Sequence, residues 1–300
     1  MKIIDTHMHL IDCVAGINSK GELRAIGNGK AIYSNGEIIN IIPDYLGDKN
    51  VTAESLIKLM DKYNVEKAVL LQGNYLGYQN YASLIASIKY PNRFITSFSF
   101  DPFYRNVDSI IEFYLKNNVK IIKLELSETS GILSNHYIKL DDERLIRIYE
   151  LAKKNNLILT LDIGRPNSDS YDINTLSRII KNYPTVKFVI CHLTAPQIND
   201  FEILKNNLKL LNYDNCYFDI ASLHSNVKPE EYPFPTALKY IRYAIDYLGA
   251  KRIMFGSDVP SAATRLSYDK MISYIKDSNM FSEYELECLF YNNANEVYFK

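Results

Sequence analysis

The chain is 300 residues long and 47% apolar, and its 34 Lys and Arg nearly balance 35 Asp and Glu for a formal charge of −1. That supplies a substantial core and leaves no net field to gather nucleic acid or an anionic membrane surface. No basic segment followed by an apolar run marks a leader, and no stretch is apolar for long enough to span a bilayer, so a cytoplasmic protein is expected.

The first predicted strand is Lys2–His9. A strand repeats its side-chain direction every second residue, which puts Asp5, His7 and His9 on one face. Two imidazoles side by side form half of a metal site, and a pair of ordinary core or surface histidines is the plain alternative. Residues 11–49 carry the turn signals Gly27-Asn28-Gly29 and Asn35-Gly36 and little periodicity, and they read as an insertion containing a hairpin, Lys30–Ser34 with Glu37–Ile42.

Strands are then predicted at Lys67–Gln72, Phe94–Phe100, Val119–Leu126, Leu157–Ile163, Lys187–His192, Cys216–Ala221 and Arg252–Gly256. Amphipathic helical stretches such as Ala53–Tyr63, Val107–Asn117 and Glu143–Asn155 alternate with them. Eight strands with helices between them predict one α/β domain, a (β/α)8 TIM barrel spanning 1–300. A doubly wound open sheet would carry a glycine-rich phosphate turn where this first strand runs into His-Met-His. Placed after strand one, the insertion lies at the C-terminal mouth of the barrel, as a lid or substrate loop, or else as a cover for apolar surface. The tail, Phe281–Phe299, is expected to close the outside of the barrel. The cysteines Cys13, Cys191, Cys216 and Cys288 are scattered without a CxxC pair, and none is assigned chemistry.

In a parallel barrel every strand ends on one face, so polar residues at those ends converge. Strand one offers His7 and His9, strand four Lys123 and Glu125, strand five Asp162, strand six His192 and strand eight Asp258. Each alone has a plain explanation: a helix cap or Asx-turn for Asp162, a buried ion pair for Lys123 with Glu125, a satisfied core histidine for His192. Together they must satisfy one another, a metal or a ligand, because burying such groups unpaired costs several kcal/mol each. Arg165, just past strand five, is a candidate for a substrate carboxylate. His224, after strand seven, and His136, in the loop after strand four, could also reach substrate; Arg265 is less well placed.

With HxH ending strand one, His192 in Val-Ile-Cys-His-Leu and Phe-Gly-Ser-Asp ending at Asp258, the chain resembles the amidohydrolase superfamily, in its amidohydrolase-2 branch of TIM-barrel metal-dependent hydrolases and decarboxylases. Leu289-Phe290-Tyr291-Asn292-Asn293-Ala294 resembles the helix that ends those chains. The resemblance implies that His7 and His9 are metal ligands, that Asp258 is a ligand and general base, and that His192 is a catalytic, substrate-polarising histidine or a further ligand. One position departs: where the branch usually has a metal-binding histidine on strand five, this chain has Asp162, a carboxylate that can replace imidazole on the metal and makes the site more anionic, and Asp162 or Glu125 would complete the ligand set.

The expected activity is hydrolysis of a small ester, lactone or amide bearing an acidic group. A divalent metal, zinc or alternatively manganese, would activate water, Asp258 would take its proton, His192 would polarise the carbonyl, and Lys123, Arg165 and His224 would hold substrate. The alternatives are non-oxidative decarboxylation of an aromatic or enoic acid, a metal-free lactonase, and a barrel that only binds. A homodimer is possible, with no nucleic-acid or membrane partner.

Overall fold

The structure is a computed structural model that describes residues 1–128 and 130–300. Strand β1 (Ile3–Met8) is followed by four short strands, β2 (Ile17–Asn18), β3 (Gly21–Gly27), β4 (Lys30–Tyr33) and β5 (Ile38–Asn40). Seven more follow: β6 (Val65–Leu70), β7 (Phe94–Phe98), β8 (Ile121–Glu125), β9 (Ile158–Asp162), β10 (Lys187–Ile190), β11 (Cys216–Asp219) and β12 (Ile253–Met254). The eight long-range partners run parallel in the order β1-β6-β7-β8-β9-β10-β11-β12. The ring closes beyond β12: Thr6 N–H donates to the Phe255 carbonyl (3.0 Å), His9 N–H to Val259 (2.8 Å) and Asp258 N–H to His7 (2.8 Å). The expected single-domain (β/α)8 barrel is what forms.

The helices are α1 (Ala53–Lys62), α2 (Asn80–Lys89), α3 (Val107–Lys116), α4 (Glu143–Asn155), α5 (Ile173–Asn182), α6 (Phe201–Leu210), a short α7 (Leu223–Asn226), α8 (Pro235–Leu248), α9 (Tyr268–Lys276), α10 (Glu283–Glu287) and α11 (Asn293–Tyr298). Several starts are written in the sequence: Thr52, Asp142 and Asp172 accept backbone N–H groups of the first turns of α1, α4 and α5. α5 shows the usual apolar stripe, burying Ile173, Leu176, Ile179 and Ile180 against the strands.

The barrel has an inner and an outer core. The inner one takes Ile4, Val69, Ile121, Ile158, Val189 and Met254 from six strands, with Ile95 and Tyr217 of the other two packed against it. Its floor is Ala294, Val297 and Tyr298 of α11, with the Tyr298 hydroxyl 3.4 Å from Thr160 Oγ1. The C-terminal helix therefore plugs the inside of the barrel, where the outside was expected; three inward apolar positions in six residues settle it.

The insertion folds as an antiparallel sheet ordered β2-β3-β4-β5. The expected hairpin is present as β4–β5, with Gly36 at φ 89° in its turn, and β3 adds a partner on the other side of β4. Leu23, Ala31 and Tyr33 are buried beneath it. The insertion is tied to the 71–79 loop after β6: Ala15 N–H donates to Leu76 (3.0 Å), Gln79 Nε2 to Cys13 (2.7 Å) and Asn74 Nδ2 to Ile17 (2.9 Å). Contact is so close at Gly16 that a Cβ would lie 1.9 Å from the Tyr75 carbonyl oxygen, so only glycine fits.

Candidate active site

Strand β1 is irregular where it matters. Ile4 lies in the inner core and Met8 in the outer, although a regular strand would put residues four apart on one face. The phase changes because the ladder to β6 loses register between Asp5 and Met8. His7 and His9 turn into the mouth, and Asp5, expected on their face, points outward instead. There Asp5 Oδ1 accepts the N–H groups of His7 and Ser257 (both 3.0 Å), and Oδ2 accepts the Tyr268 hydroxyl of α9 (2.8 Å). Burial pushes Asp5 up to about 6 against those donors. It anchors the ends of two strands and is not a ligand.

Three other strand ends break abruptly. His192, Leu193, Thr194 and Ala195 after β10 all have φ between 51° and 65°, Ser222 after β11 has 53°, and Asp258 after β12 has 63°. Left-handed backbone costs an L-residue roughly 1–2 kcal/mol, and four in succession are a turn the surrounding structure must enforce. The effect is to swing His192, Ser222 and Asp258 across the mouth.

The histidines are oriented alike. His7 Nδ1 lies 3.0 Å from Asp219 Oδ2, His9 Nδ1 3.0 Å from the Leu71 carbonyl and His192 Nδ1 2.8 Å from the Ala221 carbonyl. Each acceptor calls for the proton on Nδ1, which leaves Nε2 facing the mouth. His9 Nε2 is 3.0 Å and His7 Nε2 3.7 Å from Asp258 Oδ1, and the His7 and His192 rings are 4.9 Å apart. The other Asp258 oxygen accepts the Ser222 hydroxyl at 2.5 Å.

Burial opposes the charge of Asp258, but His9, His7 and His192 outweigh it and hold that carboxyl well below its ordinary range. Burial likewise opposes ionisation of Asp219, yet His7 and His192 bring it down to about 2. For His7 burial wins, its pKa falls, and the ring stays neutral with a free Nε2 lone pair. For His192 burial loses to Asp162, Asp219 and Asp258, and the ring is pushed up to about 10. His192 is therefore a cation, with Nε2 3.7 Å from Asp162 Oδ2.

Among the described residues, the donor atoms of His7, His9 and Asp258 lie within 4.8 Å of one another, as do those of His7, His192 and Asp219. Two imidazole nitrogens beside a carboxylate are a donor set that fits a divalent cation. Glu125 and Asp162 join neither set. Glu125 is occupied elsewhere, accepting Tyr75 N–H (3.1 Å) and the Ser130 hydroxyl (2.9 Å).

The cavity above these groups, of about 210 Å³, is lined among others by His7, His9, Lys123, Glu125, Asp162, His192, Asp258 and Tyr75. A second lobe of about 160 Å³ shares Ser130, Asp162 and His192 and adds Arg165, Ser168 and Asn226. Lys123 is buried on the floor, its ammonium 3.3 Å from Cys191 Sγ, and although burial opposes its charge, Cys191, Asp162, Glu125 and Asp219 raise its pKa above the ordinary value. Arg165 is exposed at the rim. His224 is buried against Phe234 and Tyr274 and lines neither lobe. His136 pairs with Asp101 at 3.0 Å, away from both lobes.

Sequence reasoning missed Asp219, which was hidden inside the predicted strand Cys216–Ala221; a carboxylate in an apolar strand was the available signal. It also missed Gln72 and Ser261, cavity-lining residues whose Oε1 and Oγ are buried without a protein hydrogen-bond partner.

Residues 4–300 match the model of the family described as Amidohydrolase. No curated protein matches the sequence. Among solved structures, a probable 2-pyrone-4,6-dicarboxylic acid hydrolase from Acinetobacter baumannii, with citric acid bound, is 18% identical over all of both chains with a TM-score of 0.72. An amidohydrolase from Burkholderia multivorans with bound zinc is 14% identical over 99% of each chain, with a TM-score of 0.70. The 5-carboxyvanillate decarboxylase of Sphingomonas paucimobilis is 14% identical over 81% of each, with a TM-score of 0.57.

Proposed function

The chain belongs to the amidohydrolase family, whose members are hydrolases and decarboxylases, and we propose that it is a cytoplasmic metal-dependent hydrolase of a small ester, lactone or amide bearing an acidic group. The observation that carries this reading is the shared orientation of the histidines, each with Nδ1 bonded and Nε2 toward Asp258 or Asp162. His7, His9 and Asp258 would hold the metal, and nitrogen and oxygen donors in that ratio suit zinc, with manganese the alternative. A divalent cation there supplies Lewis-acid polarisation and makes water more acidic, to a pKa of about 7.

The protein's own groups supply the rest. Asp258, whose other oxygen accepts the Ser222 hydroxyl, would take the proton of attacking water. Cationic His192 donates from Nε2 to the carbonyl oxygen as negative charge develops there, and Asp162 keeps it charged. Lys123 from the floor and Arg165 from the second lobe provide positive charge for the substrate's acidic group. Asp162 and Glu125 serve the site by charge and by loop anchoring in this reading.

The test is a screen of carboxylated esters, lactones and amides with metal-loaded protein, beside carbon dioxide release from hydroxybenzoates. Turnover in the first panel that falls with His192→Gln supports the hydrolase. Carbon dioxide release alone would move the assignment to the decarboxylases, whose known 5-carboxyvanillate member shares this fold.

A further inference from the structure

The two lobes of the active site differ in what they can hold. Leu10, Tyr75 and Leu76 line one side of the catalytic lobe, and that side is tightly packed. Glu125, at the end of β8, accepts Tyr75 N–H through Oε2 (3.1 Å) and the Ser130 hydroxyl through Oε1 (2.9 Å), so it ties the 71–79 loop to the loop after β8. A Cβ at Gly73 would lie 2.3 Å from Glu125 Oε2, and one at Gly77 would lie 2.8 Å from the Ala15 carbonyl oxygen. A substrate that outgrows the catalytic lobe therefore extends on the opposite side, past His192 and Asp162, which border both lobes.

The second lobe is polar. Ala195 is its one apolar side chain among the described residues. Seven arginines elsewhere pair with carboxylates, whereas among the described residues Arg165 pairs with none. The carboxylates of the lobe are engaged already. Asp162 Oδ1 accepts Gly164 N–H (2.9 Å) and Oδ2 faces His192 Nε2 (3.7 Å), while Glu128 Oε2 accepts Asp169 N–H (2.9 Å). A guanidinium left with free donors suits a ligand carboxylate. Asn226 adds a side-chain Nδ2 that has no hydrogen-bond partner in the protein. Ser168 works the other way. Its hydroxyl donates to the Arg165 carbonyl (2.7 Å), and its oxygen, with Ser170 Oγ 3.1 Å away, keeps one acceptor position for a ligand. The lobe measures about 160 Å³. A cavity of about 150 Å³ holds benzene, so this one takes about six non-hydrogen atoms.

We propose that the end of the substrate beyond His192 is a short hydroxycarboxylate the size of lactate, its carboxylate on Arg165 and its hydroxyl donating to Ser168. Its place in the substrate rests on the hydrolase reading above, whereas its chemistry rests on the lobe alone. An alkyl or phenyl end of similar volume would strip water from Arg165 and Ser168 without replacing those bonds, and the lobe discriminates against it.

Saturation-transfer NMR of L-lactate with the metal-loaded full chain tests the lobe, with butanoate as the probe of equal size that lacks the hydroxyl. Lactate should bind with a Kd on the order of 1 mM, and about tenfold more tightly than butanoate. Arg165→Gln, at an exposed position that leaves the fold alone, should weaken lactate about tenfold. Ser168→Ala should bring lactate to the level of butanoate. In the ester screen, members ending in lactate should exceed those ending in butyl or phenyl by about tenfold in kcat/KM, and Arg165→Gln should erase that preference. If no ester is turned over, the reaction assigned above falls, and lactate binding still decides the lobe. The proposal is overturned if lactate binds no more tightly than butanoate, if Arg165→Gln binds it as well as wild type does (as a ligand of the metal would), or if the butyl or phenyl esters are preferred.

Discussion

Replacing Asp219 by Asn should cost metal affinity while leaving the fold almost untouched. In the wild type Oδ1 accepts the N–H groups of His192 (2.8 Å) and Ala221 (3.0 Å), and Oδ2 faces His7 Nδ1 at 3.0 Å. An asparagine can keep both backbone bonds through its single oxygen. Its amide nitrogen then confronts His7 Nδ1, donor against donor. The imidazole escapes by moving its proton to Nε2, and that removes the lone pair a metal needs. Losing such an outer partner of a ligating histidine costs about 10- to 100-fold in affinity, which is about 1.4–2.8 kcal/mol. The assay is competition with a fluorescent zinc chelator, run beside thermal unfolding of the metal-free protein. Affinity within twofold of wild type would refute the assignment of the His7 tautomer and, with it, the role of Nε2.

Further outcomes are expected. His7→Ala should lose both bound metal, measured by mass spectrometry of the purified protein, and turnover; full activity would end the metal-site reading. Burial lowers His224 to about 4 from an unfolded value near 6.5, so the unfolded chain binds more protons between those values. Stability should therefore fall as pH drops from about 6.5 through 4, by roughly 3 kcal/mol in all relative to His224→Phe; parallel denaturation curves for the two proteins at all pH values would contradict this. At Ala195, φ 51°, Gly should stabilise by up to about 1 kcal/mol and Val should destabilise, both read from urea midpoints. Tyr268→Phe strips a donor from the fully buried Asp5 and should cost about 1–3 kcal/mol, seen in the same experiment.

The barrel was legible because its strands are nearly unbroken apolar runs and its helices carry apolar stripes, and His7, His9, His192 and Asp258 were legible because polar residues at strand ends stand out against such runs. What escaped depends on departures from regular geometry. Reading β1 as an even strand put Asp5 beside the histidines, and only the register break near His7 sends it to Tyr268 instead. Nothing in Cys-His-Leu-Thr-Ala announces four left-handed residues, since no glycine marks them. Asp219 was passed over because its partner, His7, is 212 residues away, and pairings at that range carry no local periodicity.

The plug formed by α11 bears on how the protein is made. Ala294, Val297 and Tyr298 complete the inner core but follow every barrel strand in chain order. A ribosome adds roughly 5–20 residues per second, so all eight strands leave it while the bottom of the barrel is still open. The earlier strands must wait, with inner apolar faces such as those of Val69 and Ile121 unsealed, until the last helix emerges. Synthesis of this enzyme thus passes through a stage at which the barrel's inner core still lacks its floor.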